Sequence, residues 1–129
     1  MAALRVISVT GGKGGVGKSH LVANLGVLAA QRGLRTVIID ADVGLASVHV
    51  LFGLTANLHV GDVLDGVALD EALLHTPEGL SLLPAASGER SLTHLVEGQR
   101  FALRAVWEQL AERFDVVLID CPPGLSRDA

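Results

Sequence analysis

Residues 4–19 read LRVISVTGGKGGVGKS, and this stretch decides the fold. Its first seven residues are rich in β-branched side chains and stop at Gly11-Gly12, the pattern of a buried strand. Residues 12–19 (GKGGVGKS) satisfy G-x-x-x-x-G-K-[ST]. From Lys18 onward Leu21, Val22, Leu25, Leu28 and Ala29 recur at helical spacing, and Gly33 sits where a C-terminal cap belongs. A strand, a glycine-rich loop and a helix in that order make a phosphate-binding unit. Glycines let consecutive backbone N–H groups turn inward on an anion, and the following helix adds the positive end of its dipole. The expected nucleotide contacts are Gly12, Lys13, Gly14, Gly15, Val16, Gly17, Lys18 and Ser19. In this motif Lys18 neutralises the β- and γ-phosphates and the Ser19 hydroxyl ligates Mg²⁺.

Working outward, residues 36–40 (TVIID), 80–83 (LSLL) and 115–120 (DVVLID) read as further short buried strands. Helical patterns fall near 45–52, 60–64 and 69–75, and Pro77 and Gly79 mark a turn. A longer amphipathic helix spans 101–114, with apolar residues at 103, 106, 107, 110 and 114. Near-continuously apolar strands alternating with helices predict an α/β fold, a parallel sheet of about four strands covered by helices on both faces. The fourth strand is expected beside the first, which would leave the first as an apolar edge. Residues 1–129 read as one domain, the N-terminal part of something longer.

Composition agrees. Of 129 residues 50% are apolar and 19% charged, which excludes a disordered chain, and 3% aromatic content requires an aliphatic core. A net charge of −4 lacks the basic excess of non-specific nucleic-acid binders, so DNA is not an expected partner. The single cysteine, Cys121, excludes an internal disulfide and reads as a packed residue. The histidines at 20, 49, 59, 75 and 94 show no zinc-binding spacing and are expected to face solvent or bond locally. Trp107 reads as core. Arg100, Arg104 and Arg113, interspersed with glutamates, read as a solvated face. With neither a leader pattern nor a membrane-spanning run, a cytoplasmic protein is expected. Only two of the ten Lys and Arg residues are lysines, Lys13 and Lys18, and both lie in the glycine-rich loop.

Three acidic residues stand at expected strand ends: Asp40, Asp42 and Asp120. Ligands of open α/β sheets bind beyond the C-terminal ends of the strands, so these carboxylates should converge with the loop. Asp120 closes an apolar VVLID run as a Walker B aspartate does, which gives it a metal-linked role. Asp40 and Asp42 fit either metal and water chemistry or the N-cap of a following helix.

GKGGVGKS at 12–19, DADVGLA at 40–46 and DCPPG at 120–124 together resemble the MinD/ParA group of deviant Walker A ATPases. The resemblance covers essentially the whole chain and matches the N-terminal half of such proteins. Asp-Val-Gly-Leu at 42–45, with ASVHVLFGL, LHVGDVLDG and LLPAASG further on, is most similar to the MinD-like and flagellar-number-regulator branch. The resemblance implies ATP and Mg²⁺ as cofactors, with Lys13, Lys18 and Asp42 as the catalytic residues. It implies that Lys13 reaches the phosphates of a partner subunit in a nucleotide-sandwiched homodimer and that Asp42 orients the attacking water. Asp40 and Asp120 would serve the Mg²⁺ shell beside Ser19, and Gly124 would belong to the switch that senses the γ-phosphate. His20 stands where many members carry a small hydroxyl residue near the α-phosphate, and a histidine N–H can donate there instead. The implied function is a slowly hydrolysing switch that dimerises on ATP and regulates flagellar placement or the division site through protein partners. Peripheral inner-membrane attachment would come only from a segment of a longer parent. A non-hydrolysing nucleotide-binding interaction module and a ParA-like partitioning ATPase are the alternatives.

Overall fold

A computed structural model of the chain describes residues 5–9, 16–40, 48–55, 58–84 and 100–120, with the backbone alone at 16–19, 50, 100, 102 and 103. In chain order the elements are β1 (Arg5–Val9), α1 (Val16–Gln31), β2 (Thr36–Asp40), α2 (Val48–Leu51), α3 (Val60–Leu64), α4 (Leu69–Ala72), β3 (Leu74–His75), β4 (Ser81–Pro84), α5 (Arg100–Arg113) and β5 (Val116–Asp120). The described strands form one sheet in the order β1-β5-β2-β4-β3. β1 pairs with β5, β5 with β2 and β2 with β4, all in parallel.

Apolar residues fill both faces of the central strands because successive side chains alternate across the sheet. Ile38, Leu82, Val116 and Leu118 pack with Val22 and Ala23 of α1 and Val48 of α2. Val37, Ile39, Leu83 and Val117 pack on the opposite side with Val60, Val63 and Leu64 of α3, Leu69 and Ala72 of α4, and Val106 and Leu110 of α5. Trp107 lies partly buried against this second cluster, as its place on the apolar face of α5 requires. Arg104 is exposed and Arg113 forms an ion pair with Asp70, consistent with a solvated outer face.

At the N-terminal end of the central strands, Arg35 and Asp115 staple β2 to β5. The Arg35 backbone N–H donates to Asp115 Oδ2 at 2.9 Å, and its guanidinium Nη2 reaches Oδ1 at 3.0 Å. The Asp115 N–H in turn donates to the Arg35 carbonyl at 2.7 Å. The guanidinium hydrogen bond holds the Asp115 carboxyl below the usual carboxylate range.

Two expectations are corrected. β1 reads as a buried strand, yet Arg5, Val6, Ile7 and Ser8 are exposed, Val6 at 49% and Ile7 at 47%. It is the apolar edge expected from the pairing of the first strand with the last, bonded only to β5 among the described strands. The helical pattern at 69–75 ends at Ala72. Leu74 and His75 pair antiparallel with Leu82 and Ser81, adding a short fifth strand. Thr76 closes this hairpin: its Oγ1 donates to the Leu80 carbonyl at 3.1 Å.

α1 ends as expected on Gly33, whose φ of +84° is the left-handed cap conformation. Gly26 brings the middle of α1 close to the sheet, since a Cβ there would stand 2.7 Å from Ile38 Cδ1 and 3.4 Å from Leu80 Cδ2. Gly26→Leu is therefore expected to lower stability by about 1–3 kcal/mol, read as a shifted midpoint in urea. Gly26→Ala should lie close to wild type, because its helix-propensity gain of about 1 kcal/mol offsets the displacement of Ile38 Cδ1.

Candidate functional site

The candidate site lies at the C-terminal ends of β2 and β5. Direct register pairing sets Asp40 beside Asp120, and Asp120 beside Val9 of β1. Asp40 follows Ile38 by two residues and Asp120 follows Leu118 by two, so both carboxylates belong to the face covered by α1 and α2. Asp40 is 3% exposed and Asp120 is fully buried. Two carboxylates side by side out of solvent carry a large electrostatic cost unless a cation, a proton or hydrogen-bond donors offset it.

Part of that offset is visible at Asp40. Its Oδ2 accepts the Val48 backbone N–H at 2.9 Å and lies 3.2 Å from His49 Nδ1. Its Oδ1 is buried and has no hydrogen-bond partner among the described residues. Burial pushes the Asp40 pKa up, the hydrogen bond from His49 opposes this, and the nearby Asp120 charge pushes it further up. One oxygen is thus held and the other retains its acceptor capacity beside a second carboxylate. This donor set suits a hard divalent cation or its coordinated water. Mg²⁺ fits the residues present.

Of the other expected contacts, residues 16–19 form the first turn of α1, so the backbone of Val16, Gly17, Lys18 and Ser19 is helical there. α1 packs across β2 and β5, the two strands that end in the carboxylates. His20 is exposed. Gly12, Lys13, Gly14, Gly15, Asp42 and Gly124 lie outside the described residues, as do Cys121 and His94. Among the remaining histidines, His59 lies 3.6 Å from Asp62 and His75 bonds Ser81 at 3.2 Å.

His49 is the residue that sequence reasoning passed over. No spacing rule links it to Asp40, nine positions earlier. The contact arises because Val48, fully buried under the sheet face, anchors α2 over the end of β2. Among the described residues, no helix is long and apolar enough to cross a membrane.

A family model described as an AAA domain matches residues 4–127. The antiactivator FleN of Pseudomonas aeruginosa is 41% identical over 127 residues, which cover 98% of this chain and 45% of FleN. The septum site-determining protein MinD of a Synechocystis species is 42% identical over 127 residues, covering 95% of this chain and 46% of that protein. Among solved structures, cobyrinic acid a,c-diamide synthase from Mycobacterium smegmatis with bound ATP analog and magnesium superimposes with a TM-score of 0.72 at 33% identity, over 95% of this chain and 52% of that one. The chain spans about half the length of these relatives.

The buried carboxylate has a measurable consequence. A carboxyl whose folded pKa is raised costs nothing below the unfolded value of ~3.9, where both states are protonated. Stability falls as pH climbs from there through the raised folded pKa, and the full cost persists above it. Asp40→Asn removes the charge and keeps an acceptor for the Val48 N–H. In ligand-free protein it is expected to raise Tm at pH 7, with the gain vanishing as pH approaches 4. A lower Tm at pH 7 would show that burial of this carboxylate carries no net cost.

Proposed function

The chain belongs to the MinD/ParA-like family of P-loop ATPases, and from that premise we propose that it is an ATP-binding, slowly hydrolysing switch. It dimerises when both subunits hold ATP and regulates a position in the cell, flagellar placement or the division site. The observation that carries the reading is the buried pair Asp40–Asp120 in direct register at the strand ends, on the sheet face that α1 covers, with Asp40 Oδ1 lacking a partner among the described residues. Similarity to an antiactivator and a septum site-determining protein, both above 40% identity, favours regulation over the synthase chemistry of the less similar cobyrinic acid enzyme.

Each residue then has a physical task. Backbone N–H groups of residues 12–17 and the first turn of α1 cradle the phosphates of ATP, and Lys18 sets a compact positive charge between the β- and γ-phosphates. The Ser19 hydroxyl and the Asp40 and Asp120 carboxylates would hold Mg²⁺. Magnesium, when bound with the nucleotide, supplies charge neutralisation on the phosphate oxygens. Asp42 orients the hydrolytic water. Lys13 lends its ammonium to the partner subunit's nucleotide, so association depends on the γ-phosphate and hydrolysis releases it. His20 and Gly124 complete the nucleotide contacts, His20 near the α-phosphate and Gly124 beside the γ-phosphate. The 129 residues act as a single nucleotide-binding domain, working through protein partners in the cytoplasm.

Lys18→Ala is expected to weaken Mg-ADP binding about 100-fold, the loss of a fully engaged charge-assisted contact; unchanged affinity by titration calorimetry would overturn the phosphate-loop assignment. Lys13→Ala should bind Mg-ATP as a monomer with near wild-type affinity and fail to dimerise. Sedimentation of a normal ATP-bound dimer of this variant would remove the trans role of Lys13.

A further inference from the structure

We propose that His49 is a positioning residue for the metal-linked carboxylate: its imidazole Nδ1 holds Asp40 Oδ2 so that Oδ1 alone remains to meet Mg²⁺ or its water. The proposal rests on the nucleotide-binding reading above and adds to it a residue outside the loop motif and outside the strand-end carboxylates.

Three observations carry it. The His49 Nδ1 to Asp40 Oδ2 distance is 3.2 Å, and the same oxygen accepts the Val48 N–H at 2.9 Å. Two contacts on one oxygen fix the torsion of a short side chain that would otherwise rotate about its terminal bond. The other oxygen, Oδ1, is buried without a hydrogen-bond partner among the described residues, on a side chain only 3% exposed. A buried acceptor left open is costly and marks a place where a ligand completes the set. His49 itself is held: Val48, the residue before it, is fully buried between α1 and the sheet, and the imidazole is only 21% exposed. With Asp40 ionised, the ring carries its proton on Nδ1 and donates it to the carboxylate, the arrangement by which outer-sphere groups orient a ligating oxygen.

A conservative replacement can separate positioning from packing. The side-chain amide nitrogen of asparagine sits close to where Nδ1 of histidine does, whereas that of glutamine sits near Nε2. In the purified protein with ADP present, a calorimetric titration of Mg²⁺ is expected to show about tenfold weaker metal affinity for His49→Leu, with ADP affinity in EDTA unchanged. His49→Asn should return to within about threefold of wild type, and His49→Gln should behave like His49→Leu. The proposal is overturned if His49→Leu takes up Mg²⁺ as wild type does. It is equally overturned if ADP affinity in EDTA falls by the same factor as the Mg²⁺ affinity, or if His49→Asn and His49→Leu lose equally; each marks a packing role. A wild-type protein that binds no ADP removes the nucleotide reading and this proposal with it. One that binds ADP and Mg²⁺ while His49→Leu matches it removes only the proposal.

Discussion

The parallel pairing of β2 with β5 is the contact on which the site depends. Its register runs from Thr36 opposite Val116 to Asp40 opposite Asp120. Slippage by one residue would turn every side chain of one strand to the other face and carry its aspartate away from the neighbouring carboxylate and from the face that α1 and α2 cover. Both strands have apolar residues packed on both faces, so hydrophobicity alone does not choose the register; the fit of individual side chains on each face and the polar groups at the two strand ends do. The Arg35–Asp115 pair sets the same register from the opposite end, where the Asp115 and Val116 N–H groups both donate to the Arg35 carbonyl. With the guanidinium side chain 59% exposed, such a pair adds little stability by itself. Its consequence is geometric: it aligns the two strand starts, and thereby the two carboxylates at their far ends.

That alignment creates a local conflict the rest of the fold absorbs. Neighbouring buried carboxylates repel and lose hydration, and burial with the Asp120 charge raises the Asp40 pKa. The aliphatic packing of two faces holds the strands together in spite of it. A single hydrogen bond from Val48 and one from His49 offset part of the cost at one oxygen. Strain concentrated at a strand end, within a well-packed sheet, is typical of a place where a ligand supplies the missing interaction. α1 is drawn close to the same sheet face by Gly26, which places the helix following the glycine-rich loop on the side where the carboxylates lie.

Much of this was legible in the residues. The strand before the glycine-rich loop and the helix after it, the α/β class, the pairing of the first strand with the last, the C-cap at Gly33 and the core position of Trp107 all follow from the sequence pattern and agree with the structure. One boundary and one burial pattern did not. The 69–75 segment has helical apolar spacing throughout, but pairing of Leu74 and His75 with β4 overrides that propensity. β1 is as apolar as the central strands, so its own residues read as buried; only the strand order, with the last strand beside the first, marks it as the apolar edge it is.

Local sequence determined what each segment becomes, because helix and strand periodicity, glycine conformation and turn chemistry act over a few residues. It also determined the chemical vocabulary of the site, the two loop lysines and the strand-end aspartates. Tertiary structure alone decided which of those groups meet. Asp40 and Asp120 become neighbours only when strands separated by most of the chain enter register. His49 reaches Asp40 only because a buried valine pins α2 over the end of β2. Contacts of that kind are written in the packing of both sheet faces at once, a property no single stretch of residues possesses.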